Sequence, residues 1–286
     1  MPPKILILGK GYVGKHLKGV LGERGSIVSR EDLDYHNKKE FGEYLNYHPN
    51  IKVVVNCSGF TGRPNIDQAE LMKEDCLNLN TISPLNVMAA CNKKNVKYIH
   101  ISSGCIYTGY KEEFEEDSES NFGMFHESSF YSKTKHLFEI LAKNSGNGAD
   151  IIRVRMPFCG VKSNRSYLTK ILGYDKLIDY TNSKTSISEL CIFIDKLASK
   201  RLEDPATESV YRVHNIVNTK PLTTSRVISI LKEYGHSNEN WSIVPIEDID
   251  IAAPRSNCIL KTSKSFKRLV GREIKSEEES IRESLK

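Results

Sequence analysis

The chain has 286 residues, 39% hydrophobic and 27% charged, with a formal net charge of +5, enough to bury a core as one large α/β unit or two unequal ones. No apolar run approaches the ~18 residues of a membrane span, and the first residues carry no signal-peptide core. The mild charge forms no basic stripe interleaved with aromatics, which excludes a nucleic-acid reader and leaves anionic small ligands open.

Cys57, Cys76, Cys91, Cys105, Cys159, Cys191 and Cys258 are odd in number and scattered, with no C-x-x-C pair. Reduced thiols in a cytoplasmic protein are therefore expected, rather than disulfides or a metal site.

Lys4–Leu8 is a short apolar strand. Gly9, Lys10, Gly11, Tyr12, Val13 and Gly14 follow at once, and a helical pattern runs on through Leu17, Val20 and Leu21. Strand, G-x-G-x-x-G and helix in that order make a dinucleotide-binding turn. The glycines permit a tight bend and bring backbone N–H groups up to a pyrophosphate at the helix N-terminus. Ser26–Ser29 reads as the second strand, with Arg30 just after it. A serine and an arginine there favour the 2′-phosphate of NADPH, with NADH left open because Glu31 and Asp32 follow closely.

Ile51–Cys57 is a continuous apolar run of the kind buried on both faces of a parallel sheet. It ends in Ser58, Gly59 and Thr61, small residues that leave room for a cofactor at the strand's carboxyl end. Leu77–Lys94 has a helical period that Pro84 should kink or break. Lys97–Ser102 is another strand and delivers Ser103, Gly104 and Cys105 to the same sheet edge. The acidic stretch between Tyr107 and Ser128 has no clean period and is expected to form a loop over the site mouth.

Tyr131 and Lys135 stand four residues apart, with Phe130, Leu137, Phe138 and Leu141 recurring at helical spacing around them. They share a helix face, so the ammonium lies beside the phenol and favours its ionised form. Such a pair suits delivery of a proton to a carbonyl oxygen while hydride arrives at its carbon. Ile151–Met156 reads as a sixth parallel strand, closed by Pro157. Beyond it, short strands at 177–180, 209–214 and 242–245 alternate with helices around 186–201, 223–234 and 276–285. The expected fold is α/β: a Rossmann-type doubly wound parallel sheet over 1–157. A smaller C-terminal substrate-binding lobe over 158–286 sends segments back to the large domain.

Gly9, Gly11 and Gly14, Ser103, and Tyr131 with Lys135 together resemble the extended short-chain dehydrogenase/reductases that act on nucleotide sugars. The segments TGRPNID (61–67), SSGCIY (102–107), SSFYSKTK (128–135), RVRMP (153–157), YLTKI (167–171) and APRSN (253–257) are similar to the nucleotide-rhamnose synthase/epimerase-reductase group. That group is known as the C-terminal half of plant UDP-rhamnose synthases and as stand-alone forms in plants and giant viruses.

The resemblance implies a bifunctional reaction on UDP-4-keto-6-deoxy-glucose: epimerisation at C3 and C5, then reduction of the C4 ketone with NADPH to UDP-β-L-rhamnose. It assigns Cys105 and Lys170 as the epimerisation pair, Tyr131 as proton donor, Lys135 as its partner and Ser103 as the group orienting the carbonyl. Arg63, Asn65 and Arg255 become candidate ligands for sugar and diphosphate, an ion pair within the fold being the alternative for Arg255. A homodimer paired through helices of the large domain is also implied. The neighbouring readings are a reductase without epimerase activity, as for dTDP-4-keto-rhamnose, and a GDP-fucose-synthase type. A non-catalytic NADP-binding regulatory subunit is the rival from another class, and the presence of Ser103, Tyr131 and Lys135 together speaks against it.

Overall fold

The structure, a computed structural model, describes residues 4–62, 65–161, 163–203 and 210–286. Its frame is a six-stranded sheet of β1 (Ile5–Leu8), β2 (Gly25–Val28), β3 (Val53–Asn56), β4 (Lys97–Ser103), β6 (Ala149–Val154) and β10 (Tyr211–Asn215). Every pairing is parallel, in the order β10-β6-β4-β3-β1-β2. The expected Rossmann-type sheet is thus present. Strand order reverses between β1 and β3, which opens a crevice at their carboxyl ends.

The β-branched and Leu-rich strands bury both faces, so successive residues feed opposite layers. Ile5, Ile7, Val53, Val55 and Ile152 pack with helices Tyr12–Leu21 and Ile187–Glu203, through Leu17, Leu190, Phe193 and Leu197. Leu6, Leu8, Val54, Tyr98 and Ile151 pack on the other face with Phe41, Val87 and Phe138. These come from helices Lys38–Tyr47, Ser83–Lys93 and Phe130–Asn144. Burying each such side chain contributes roughly 1.5–3 kcal/mol. A separate core of Phe158, Leu168, Ile171, Val227, Ile230 and Ile281 lies in the C-terminal part.

Three short parallel pairs flank the frame: β5 (Gly109–Phe114) with β12 (Cys258–Leu260), β7 (Pro157–Phe158) with β9 (Thr185–Ser186), and β8 (Lys176–Leu177) with β11 (Ser242–Ile243). All seven cysteines are free. Among the described residues no helix is long and apolar enough to cross a membrane.

Three local expectations change. The strand expected as the sixth is the fifth of this sheet in chain order, ending at Val154. The sixth is Tyr211–Asn215, which pairs with it from far along the chain. Ser209, where that strand was expected to begin, lies outside the described residues. Pro84 opens the helix Ser83–Lys93 near its first position, where its missing N–H costs nothing. The break falls before it, as a π-helical turn over Asn78–Ile82.

The acidic stretch is no loop over the site. Part of it is β5, and the described residues 106–128 do not line the main cleft. Basic and hydroxyl groups of the C-terminal segment and of the strand Ala149–Val154 hold it elsewhere. Lys261 pairs with Glu115 at 2.6 Å, Ser263 donates to Glu116, and Arg153 donates to the Tyr107 hydroxyl at 2.9 Å and the Glu116 carbonyl at 3.0 Å.

Candidate active site

The glycine turn begins the site. Gly9 has φ +99°, and a Cβ there would stand 3.1 Å from the Ser58 backbone. A Cβ on Gly14 would meet the Gly9 carbonyl at 2.1 Å. The first glycine therefore lets the ends of β1 and β3 approach, and the third lets the helix sit on the turn. Gly11 is the N-cap of the helix Tyr12–Leu21, and the space where its Cβ would project is open. Gly11, Tyr12 and Val13 line the cleft, whereas Gly9 and Gly14 support it from behind.

Beyond β3, Asn56 Oδ1 accepts from the Ser58 N–H at 3.0 Å and Asn80 Oδ1 from the Phe60 N–H at 2.9 Å. These bonds fix Ser58, Gly59 and Thr61 against the cleft. A Cβ on Gly59 would lie 3.2 Å from Asn80 Oδ1 and 3.4 Å from Lys135 Nζ, so this turn sits directly against both side chains.

The helix carrying Tyr131 and Lys135 starts at Ser129, whose side chain accepts from the Ser132 N–H at 3.1 Å. Glu70 accepts from the Phe130 N–H at 2.6 Å. This start turns Tyr131 and Lys135 inward, 8% and 4% exposed. Lys135 Nζ donates to the Ile101 carbonyl at 3.4 Å. At the end of β4 the Cys105 N–H donates to Ser103 Oγ at 3.1 Å, a short turn that holds both side chains together. Ser103, Cys105, Tyr131 and Lys135 all line one cleft of about 1020 Å³, and Lys170, from helix Tyr167–Leu172, lines it too.

The expected lowering of the Tyr131 phenol is not found. Burial pushes it up, and the Cys105 sulfur adds to that. The Ser103 hydrogen bond and the charge of Arg155 act the other way without prevailing. The phenol is thus held as an acid at neutral pH, the form a proton donor needs. Burial also pulls Lys135 down, to about 8, against the opposing pull of Cys76 and Glu139. Lys170 is lowered by burial and then by Arg165 and Arg255, which favours a neutral amine able to accept a proton.

The Lys135 shift has a stability consequence. Folding disfavours its ammonium, so the penalty is complete below pH 8 and is relieved as pH rises from about 8 to the ordinary lysine value, where the unfolded chain holds more protons. A displacement of that size corresponds to about 3 kcal/mol. Urea unfolding of wild type and Lys135→Met at pH 7 and pH 10 should show the stability difference moving toward wild type by that order at the higher pH. An unchanged difference would refute the buried ammonium.

Of the other candidates, Asn65 lines the cleft and Arg30 is not among its lining residues. Arg63 lies outside the described residues. Arg255 lines the cleft as one half of an ion pair. Its Nη1 and Nη2 reach Asp67 Oδ1 and Oδ2 at 2.8 and 2.9 Å, and that pairing holds the Asp67 carboxyl below its usual range.

Two cleft arginines escaped the sequence reading. Arg165 donates to Thr61 Oγ1 and the Gly62 carbonyl, both at 3.3 Å, tying the two sides of the cleft together. Arg155 stood in plain view inside RVRMP, but nothing in a strand-like stretch says which arginine turns into a site. With Arg255 they bring guanidinium groups to the lining of this cleft.

A doubly wound parallel sheet with a cleft at its switch point, floored by Ser, Tyr and Lys, defines a nucleotide-binding Rossmann-type protein. The chain belongs to the RmlD substrate binding domain family, which matches residues 3–286.

It is 31% identical over 221 residues to the bifunctional dTDP-4-dehydrorhamnose 3,5-epimerase/dTDP-4-dehydrorhamnose reductase of Arabidopsis thaliana, covering 74% of this chain and 69% of that protein. It is 29% identical over 306 residues to an Arabidopsis trifunctional UDP-glucose 4,6-dehydratase/UDP-4-keto-6-deoxy-D-glucose 3,5-epimerase/UDP-4-keto-L-rhamnose-reductase. That match covers 99% of this chain but 41% of the longer relative.

Among solved structures, the UDP-rhamnose synthase of Acanthamoeba polyphaga mimivirus superposes with TM-score 0.86 at 23% identity, covering 100% of this chain and 99% of that one. The dTDP-4-dehydrorhamnose reductase of Bacillus anthracis, solved in complex with NADP, superposes with TM-score 0.77 at 21% identity, covering 99% and 98%. These two likenesses establish the shared fold.

Proposed function

We propose that the chain is a bifunctional, NADPH-dependent enzyme. It epimerises C3 and C5 of UDP-4-keto-6-deoxy-D-glucose and then reduces the C4 ketone, giving UDP-β-L-rhamnose. The observation that carries this reading is the meeting of Ser103, Cys105, Tyr131, Lys135 and Lys170 in one cleft. A reductase alone needs only the first, third and fourth of these. The names of the plant relatives, epimerase and reductase together, support the same combination.

The glycine turn fits a dinucleotide, since the open space at Gly11 faces the cleft beside Lys10 and Lys15. NADPH supplies the hydride for C4. Tyr131 gives its proton to the C4 oxygen, Ser103 holds that oxygen by a hydrogen bond, and Lys135 holds the nicotinamide ribose. In epimerisation the same two hydroxyls polarise the carbonyl while a proton leaves carbon on one face and returns on the other. Cys105 and Lys170 supply the two proton-transfer groups, and Arg165 and Arg255 meet the diphosphate.

The domain division at about residue 157 follows from the same reading, with Lys170 brought from the substrate-binding side. A cytoplasmic homodimer completes it. Leu71, Ile82 and Leu141 are exposed apolar residues on helices of the large domain, with Met72 exposed between two of them, and a paired copy would cover them.

The test is a product assay in D₂O with the purified protein, UDP-4-keto-6-deoxy-glucose and NADPH, read by mass spectrometry. Two solvent deuteriums on carbon in a rhamnose nucleotide are expected, and none in Cys105→Ala. NADPH consumption without carbon-bound deuterium would leave a reductase only. Cofactor binding without turnover would leave a regulatory subunit.

A further inference from the structure

Arg153 and Lys184 are deeply buried cations with carboxylate partners, Glu139 at 2.7 Å and Glu277 at 3.0 Å. Arg155 and Lys135 are buried to a similar degree, 1% and 4% exposed, yet among the described residues neither forms an ion pair with a carboxylate. Both open onto the cleft. Lys135 has its role in the reduction. Arg155 has none there.

Only neutral groups hold Arg155. Its Nη1 donates to Ser256 Oγ at 2.7 Å, and its Nη2 to Asn182 Oδ1 at 2.7 Å and the Ser256 carbonyl at 3.0 Å. Its buried Nε finds no partner. The remaining reach of Nη1 is to the Gly104 carbonyl at 3.4 Å and to Cys105 Sγ at 3.6 Å. Met156, the next residue, has φ +37°, a left-handed backbone uncommon for a side chain of its size. A full charge buried among dipoles alone is unfavourable unless an anion forms beside it.

We propose that Arg155 is a positioning residue for epimerisation: its guanidinium is the fixed counter-charge to the thiolate that Cys105 carries on one side of each proton transfer. This rests on the epimerase-reductase reading. If Cys105 is the base, the carbon–hydrogen bond breaks, an S–H bond forms, the electron pair moves onto the C4 oxygen, and Lys170 returns a proton to the opposite face. If Cys105 is the acid, Lys170 takes the proton and the thiolate remains after Cys105 gives up its own. Either way a thiolate stands beside Arg155. The other titratable groups around the guanidinium are Cys258, Tyr110 and Tyr131, with Lys184 already paired to Glu277.

The test compares wild type, Arg155→Lys and Arg155→Gln for solvent-deuterium exchange into the substrate carbons without NADPH. Reduction of the already epimerised 4-keto-rhamnose nucleotide is measured separately, with thermal unfolding and NADPH binding as controls for folding. Arg155→Gln should lose exchange about 100-fold and lose much less reduction, with its exchange-against-pH curve displaced to alkaline pH. Arg155→Lys should recover most of the exchange on an undisplaced curve.

Equal loss in the two variants, or an Arg155→Gln protein with normal exchange, overturns the proposal. If Arg155→Gln does not fold, Ser256→Ala decides. It keeps the charge and removes one neutral ligand, so exchange should stay within about fivefold of wild type, and a 100-fold loss overturns the proposal. Wild type that exchanges no carbon-bound hydrogen removes the underlying reading as well.

Discussion

Replacing Tyr131 by phenylalanine should lower NADPH-dependent reduction about 10³-fold while dinucleotide binding survives. The phenol is buried and held protonated, so it stands ready to give its proton when the C4 oxygen gains negative charge. Phenylalanine keeps the ring that packs beside Ala69 and Cys76 and removes only the hydroxyl. Carbon exchange should slow as well, because the same hydroxyl polarises the ketone, whereas Cys105→Ala should stop epimerisation and spare reduction of a pre-epimerised substrate. The measurements are NADPH oxidation by absorbance and cofactor affinity by fluorescence titration. A Tyr131→Phe enzyme within tenfold of wild type would remove Tyr131 as the acid.

The second large effect lies away from the chemistry. Glu277 is 0% exposed. It accepts from Lys184 Nζ at 3.0 Å, the Lys184 N–H at 2.7 Å and the Leu222 N–H at 2.8 Å. Lys184 also donates to the Asn182 and Leu222 carbonyls. Glu277→Ala therefore strands a buried ammonium and two N–H groups. The cost should be about 3–5 kcal/mol, a melting shift of roughly 10 °C in a chain of this size. Lys184→Met/Glu277→Gln should melt above Glu277→Ala, because no uncompensated charge remains. The reverse order in a thermal scan would mean that the pair acts through shape rather than charge.

Periodicity served the sequence reading well wherever one element makes its own pattern. The strands at Ile5–Leu8 and Val53–Asn56, the glycine turn, and the Tyr131–Lys135 helix face were all visible for that reason. What stayed hidden depends on partners distant in sequence. Residues 109–114 look like an acidic loop because their strand partner, Cys258–Leu260, lies far downstream. The direction of the Tyr131 shift was misread because spacing reveals Lys135 as a neighbour but says nothing of how deeply the phenol is buried. Arg155 differs from Arg153, two residues earlier, only in what surrounds it: Glu139 for one, Ser256 and Asn182 for the other. The paired role of Arg255 required Asp67, which no local pattern joins to it.

The late arrival of Tyr211–Asn215 at the edge of the sheet bears on how the protein is made. Until that strand has left the ribosome, Ala149–Val154 presents a bare row of amide and carbonyl groups. Its neighbouring helix Ile187–Glu203 must also emerge before the Ile5, Val53 and Ile152 face is covered. The nucleotide-binding half therefore closes only after most of the polypeptide has been synthesised. A nascent chain paused before residue 215 is the species most in need of a chaperone.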